Sequence, residues 1–136
     1  MIQYLCLADL LLIGEAVLGV PAEALALTTD LALADSALNA PAASYAGTEA
    51  HPSFAAKAAV LCARLCRNHA FIDGNKRVAY EAIREFVARN GRVWTDPEGD
   101  HPAGDETVKI MWDLAAGQIS EAEFTTWVSA RLTAAP

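Results

Sequence analysis

Two runs of apolar residues at helical spacing, joined by a short polar segment, constrain this chain more than any other feature. His51-Pro52-Ser53 opens the first run. Ser53 is placed to cap it, and Phe54, Ala58, Leu61 and Leu65 form one face as far as about Asn68. The second run begins at Asn75 and stops at Asn90-Gly91, a C-terminal stop signal. It turns Ala79, Ile83, Phe86 and Val87 inward and Glu81, Arg84, Glu85 and Arg89 outward. Elsewhere the pattern is also helical. Asp9 can cap a helix near 9–18 whose apolar face is Leu11, Leu12, Val17 and Leu18, until Gly19 and Pro21 stop it. Residues 22–49 are rich in alanine but broken by Pro41 and Gly47, which leaves one short helix around 30–39. Pro97, Gly99, Pro102 and Gly104 mark 91–104 as a loop, with a short extended piece at Arg92–Trp94. Asp105 caps a helix to about Ala116, and Ser120-x-x-Glu123 is a capping box for a last helix to about Leu132. The expected fold is all-α, one domain over residues 1–136 with five to six helices, the polar segment lying between the two central ones.

A chain of 136 residues can support such a core unaided. Surface scaling gives roughly 7,000 Å² exposed when folded against roughly 21,000 Å² unfolded, so no metal or disulfide staple is needed. The 54% hydrophobic content, inflated by alanine, excludes disorder. A net charge of −7 argues against the basic stripe of a nucleic-acid binder, and no direct nucleic-acid partner is expected. Cys6, Cys62 and Cys66 cannot all pair, and free thiols suit a reducing cytoplasm. The greasy run from Leu5 to Val20 holds Asp9 and Glu15 and lacks a basic leader. It reads as a core helix, not a membrane segment.

The segment between the two central helices is Asn68-His69-Ala70-Phe71-Ile72-Asp73-Gly74-Asn75-Lys76-Arg77, in which seven of ten residues are polar or glycine. Packing alone would ask for only a few turn residues. A helix starting near Asn75 aims its unpaired N–H groups and the positive end of its dipole at this loop, and Gly74 lets a ligand approach the backbone. Lys76 and Arg77 oppose that dipole, at a cost of ~0.3–1 kcal/mol each, and an anionic ligand is a physical reason for them. Asp73 is a hard oxygen ligand suited to hold Mg²⁺ against a phosphate. His69, at the other lip, offers an imidazole able to take a proton from an attacking hydroxyl. Together they read as phosphoryl or nucleotidyl transfer from a nucleotide.

Taken singly, each residue has an ordinary structural explanation. His69 could bond carbonyls at a helix end, Asp73 could cap the next helix, and Lys76 and Arg77 could be solvated charge. Their order favours the joint reading. Cys62, Cys66 and His69 fall at i, i+4 and i+7 on one helix face, a partial zinc set without a fourth ligand; the cysteines read as core thiols. Trp94, Trp112 and Trp127 are too scattered for a stacking platform and read as core or interface; His51 and His101 read as surface.

The same residues carry a family resemblance. His69-x-Phe71-x-Asp73-Gly74-Asn75-Lys76-Arg77 resembles the H-x-F-x-D/N-A/G-N-K-R motif of the Fic/Doc superfamily, on its Doc ("death on curing") toxin branch. Ala34-Asp35-Ser36-Ala37-Leu38 before Pro41, Lys57-Ala58-Ala59-x-Leu61, and Phe86 ahead of Asn90-Gly91 are similar to other elements of Doc-like chains. Fic proteins that transfer AMP carry Gly where this chain has Lys76. The resemblance therefore implies a toxin of a toxin–antitoxin pair, a kinase that moves the γ-phosphate of ATP to a hydroxyl of a translation factor, elongation factor Tu. It implies His69 as general base, Asp73 at Mg²⁺ or orienting His69, and an anion hole from Gly74 and Asn75, side chain included. Lys76 and Arg77 would hold the phosphates, and Phe71 would anchor the loop. Ala70 and Val78 depart from the frequent Pro and Thr. No S/T-x-x-x-E-G/N inhibitory motif occurs, so the resemblance implies inhibition in trans by a cognate antitoxin with a disordered tail. Two other readings stand beside it: a Fic-type AMP transferase, and a catalytically idle module that binds an antitoxin.

Overall fold

The α4 helix, Phe54–Asn68, is the hub of the molecule, and its alanines explain why. Ala58, Ala59, Val60, Leu61, Cys62, Ala63, Leu65 and Cys66 are all buried, so the helix is covered on almost every side instead of along one stripe. Small side chains let neighbours approach closely all round. The computed structural model describes residues 1–100 and 104–134. Around α4 lie α1 (Leu7–Leu18), α2 (Ala22–Thr28), α3 (Leu31–Asn39), a 3₁₀ turn (Ala40–Ala42), α5 (Asn75–Arg89), α6 (Asp105–Ala115) and α7 (Glu121–Arg131). Two small antiparallel pairs complete it: β1 (Ser44–Tyr45) with β2 (Thr48–Glu49), and β3 (Arg92–Trp94) with β4 (Leu132–Ala134).

The all-α expectation holds, with seven α-helices among the described residues in place of five to six. The additional helix is α2, a seven-residue segment too short to stand on propensity and held by Leu25 in the core. The hairpin β1–β2 also went unforeseen. Its turn is Ala46-Gly47, both at positive φ, the conformation that two-residue hairpins need. The extended piece at Arg92–Trp94 is present, and its partner is the tail beyond α7, with Arg92 opposite Ala134 and Trp94 opposite Leu132.

Caps decide several boundaries. The Ser53 hydroxyl accepts from the Ala56 N–H at 3.0 Å, and Ser120 with Glu123 forms the expected reciprocal box. Two acids act differently from expectation. Asp9 lies inside α1 and its carboxylate accepts from the Cys6 N–H at 2.8 Å, so the helix starts earlier, at Leu7. Asp105 is the first residue of α6; Asp100, from the loop ahead, accepts from the Glu106 N–H and the Thr107 hydroxyl instead. On α1 the buried residues are Leu10 and Gly14, whereas Leu12 faces solvent.

The α4–α5 pair is tied by Phe54 and Phe86, whose rings stack at 5.1 Å. Beyond α5, Asn90 bonds the backbone of Gln3 in both directions, at 2.8 and 3.0 Å, and pins the N-terminal segment across the helix end. Cys62 and Cys66 are buried, Cys62 Sγ lies 3.9 Å from Met111 Sδ, and burial pushes the Cys62 thiol well above its ordinary pKa. These are inert core thiols. Trp94 and Trp127 pack edge to face at 5.7 Å, but Trp112 is exposed. His101 lies outside the described residues. Among the described residues no single helix is long and apolar enough to cross a membrane.

Candidate active site

The loop predicted to carry chemistry joins the C-terminus of α4 to the N-terminus of α5. His69 is the first residue after α4 and holds φ 52°, ψ 47°, in the left-handed region. A non-glycine residue there costs about 1 kcal/mol or more and persists only where its surroundings impose it. They do so from both sides: the Asn68 side chain donates to the Leu33 carbonyl at 3.1 Å, and the Asp30 N–H donates to the Ala70 carbonyl at 2.8 Å. The imidazole itself is exposed.

Phe71 plunges into the core, as anticipated, and packs against α1 where Gly14 leaves room for it. Asn75 grips the same residue from the start of α5. Its Oδ1 accepts from the Phe71 N–H at 3.0 Å and its Nδ2 donates to the Phe71 carbonyl at 2.9 Å. The Asn75 side chain, expected in the anion hole, is thus committed to the loop backbone, and its buried carboxamide fixes the loop's shape. Asp73 is exposed, and its Oδ1 accepts from the Gly74 N–H at 2.8 Å. Gly74 is the N-cap of α5 at φ 78°. Its missing side chain answers a packing demand as well, because a Cβ there would overlap Leu18 of α1.

The first turn of α5 has no carbonyls behind it for the N–H groups of Asn75, Lys76 and Arg77, which makes it the electropositive end of a 15-residue helix. Lys76 and Arg77 extend that positive character sideways. Both line a cleft of about 440 Å³ between α5 and α6, together with Tyr80, Asp96, Thr107 and Trp112. The Lys76 Nζ lies 4.2 Å from the centre of the Trp112 ring. His69 and Asp73 do not line this cleft; they stand on the loop beside it.

Against known proteins, the Fic/DOC family model matches residues 4–87, from the N-terminal segment through most of α5 and including the whole loop. The chain is also 38% identical over 91 residues to Toxin Doc of Mycolicibacterium smegmatis (strain ATCC 700084 / mc(2)155), over 67% of each chain. The chain belongs to the Fic/DOC family. Within it, the match to Toxin Doc sets it on the Doc toxin branch. No solved structure matches it significantly.

The two departures of this Fic/DOC chain from the frequent motif are core positions: Ala70 and Val78 are both buried, so neither offers a side chain to the loop's outer surface. Sequence reasoning passed over Tyr80. One turn beyond Lys76 and Arg77 on the same face of α5, it lines the cleft, accepts from Trp94 Nε1 at 3.2 Å and donates to Asp96 Oδ1 at 3.4 Å. Burial raises its phenol pKa above the ordinary 10.0. The i, i+4 spacing from Lys76 was the available signal.

Proposed function

We propose that this chain is the toxin of a toxin–antitoxin pair and that it acts as a Doc-type kinase. It would transfer the γ-phosphate of ATP to a hydroxyl of a translation factor, elongation factor Tu, and so arrest translation. The observation that carries this reading is the His69–Arg77 loop itself: a strained, exposed histidine beside the positive end of α5, with a lysine at position 76. Membership in the Doc toxin branch supports the toxin assignment and the existence of a cognate antitoxin. The lysine supports phosphate over AMP transfer, because Fic-type AMP transfer goes with glycine there.

The chemistry would run as follows. His69 takes the proton of the acceptor hydroxyl as its oxygen bonds to the γ-phosphorus. The bond from that phosphorus to the β–γ bridging oxygen breaks, and ADP leaves with the electron pair. Charge on the transferring group is met by the N–H groups of the first turn of α5 and by Lys76 and Arg77, the usual dominant contribution in such reactions. Among the described residues no three His, Cys, Asp or Glu side chains form a metal cage. A single carboxylate nonetheless fits Mg²⁺, which commonly takes one or two carboxylates plus substrate phosphates and water. Asp73 would supply it, and the ion would neutralise phosphate charge.

The test mixes purified protein with bacterial lysate and ATP labelled at the α or the γ phosphate, with His69→Ala alongside. Transfer of γ label to a protein the size of elongation factor Tu, lost in His69→Ala, is the expected result. Transfer of α label would replace the kinase with a Fic-type AMP transferase. No label in either lane would leave an antitoxin-binding module without catalysis.

A further inference from the structure

Trp112 is the anomaly on α6. That helix buries Thr107, Met111 and Leu114, yet the adjacent Trp112 is 61% exposed, the largest side chain among the described residues held out in solvent. Hydrophobic packing gives no reason for it. The Lys76 ammonium lies over its indole ring, 4.2 Å from the ring centre.

Lys76 needs such a neighbour. It sits in the first turn of α5, where the helix dipole repels a cation, and it has a long stem with many rotamers. An aromatic face attracts an ammonium through the negative potential above the ring and restricts where the stem can point. An ammonium carries three N–H donors; seated on a ring it keeps others for an anion on its opposite side. Lys76 and Trp112 both line the α5–α6 cleft, so an anion bound there lies within reach of the ammonium. The carboxylates on the cleft wall do not compete for it simply: Asp96 is engaged by Tyr80, Asp100 by Thr107 and the Glu106 N–H, and Glu81 by Arg84 at 3.1 Å.

We propose that Trp112 is a positioning residue for Lys76, its indole face holding the ammonium at the mouth of the α5–α6 cleft so that it meets the phosphate chain of the nucleotide already placed. The inference rests on the kinase reading for the identity of that anion, but the tether is a property of the free protein. Because Trp112 is exposed, its replacement should leave the fold intact; the effect should appear in nucleotide affinity and KM for ATP, and, since Lys76 also meets charge on the transferring group, in a lowered kcat.

Two measurements test it. Reductive ¹³C-methylation keeps the charge of Lys57, Lys76 and Lys109 and gives each a methyl resonance, with Lys76→Arg assigning the one of interest. Ring current from Trp112 should move the Lys76 methyl signal upfield in the wild type. Trp112→Phe should retain part of that shift and Trp112→Ala should abolish it. In parallel, ATP binding should weaken three- to tenfold in Trp112→Ala, remain near wild type in Trp112→Phe, and do so with thermal stability unchanged in both. A wild-type Lys76 signal at its random-coil position, or a Trp112→Ala protein with wild-type KM for ATP, overturns the tether and leaves the kinase reading in place. A wild type that binds ATP more tightly than Trp112→Ala yet transfers no phosphate overturns the kinase reading and upholds the tether.

Discussion

Leu18 of α1 fills the space in which a side chain on Gly74 would begin. The glycine is required by its φ of 78°, and a Cβ there would also oblige the Leu18 side chain to move aside. Gly74→Ala should cost about 1–3 kcal/mol, chiefly from left-handed strain, with a further part set by how far Leu18 can give way. Gly91→Ala isolates the first part, since Gly91 has φ 71° with open space around it, and should cost only about 1 kcal/mol. Urea unfolding of Leu18→Ala, Gly74→Ala and the double variant gives the check. The double variant should be more stable than the sum of the singles by about 1 kcal/mol, and simple additivity would show that the contact does not matter.

Asn75 bonds both the N–H and the carbonyl of Phe71 in a buried setting. Asn75→Ala leaves both groups without that partner, at about 2–4 kcal/mol. Asn75→Asp separates the two bonds. A carboxylate can still accept from the Phe71 N–H but faces the carbonyl with the wrong charge, whereas the protonated acid can donate to it. The stability gap between Asn75→Asp and wild type should thus be widest at neutral pH and narrow as the pH is lowered. A gap that ignores pH would mean that the loop has rearranged.

These loop contacts mark where the sequence stopped being legible. Ser53 and Ser120 could be read as caps because their partners lie three residues away, and α4 and α5 because their apolar spacing is sustained over four turns. Asp100 could not be picked over Asp105, since an acid at the first turn of α6 serves the dipole equally well and only the loop's path decides which one bonds. The hairpin at Ser44–Glu49 is two residues a side and leans on Lys57, buried in α4, whose Nζ reaches Glu49 at 2.9 Å and the Pro41 carbonyl at 3.2 Å. No periodicity announces such a contact. Within the site, the order of residues from His69 to Arg77 was visible, and the meeting of Lys76 with Trp112, 36 positions on, was not.

Acid should find Glu121. Its carboxylate bonds the Arg64 Nε at 2.8 Å, and Arg67 stands at 3.8 Å. The bond from Arg64 is the chief reason that its pKa falls below the ordinary 4.5, outweighing the opposing effect of burial. A carboxylate with a depressed folded-state pKa stabilises the fold above its unfolded value and loses that contribution as the pH drops through the folded one. Since the pair is part-exposed, the contribution is about 1 kcal/mol or less. Glu121→Gln should therefore be slightly less stable than wild type at pH 7, with the difference shrinking in acid as the pH falls through the lowered pKa of the folded state. Chemical denaturation at pH 7, 5 and 3 measures it, and a difference constant across that range would sink the ion-pair account.

His69 offers the sharpest separation of fold from function. Its left-handed backbone, φ 52°, is a conformation glycine adopts without penalty, and its exposed ring contributes little to the core. His69→Gly should relieve strain of about 1 kcal/mol and raise the melting temperature by about 3–5 °C. The same variant lacks the imidazole and should transfer phosphate about 10²–10⁴-fold more slowly. His69→Ala keeps the strain, so it should lose activity equally without gaining stability. Melting curves and label transfer on the three proteins separate the terms. If His69→Gly melts no higher than His69→Ala, the histidine is not held in strain by the loop, and its geometry owes nothing to the chemistry proposed for it.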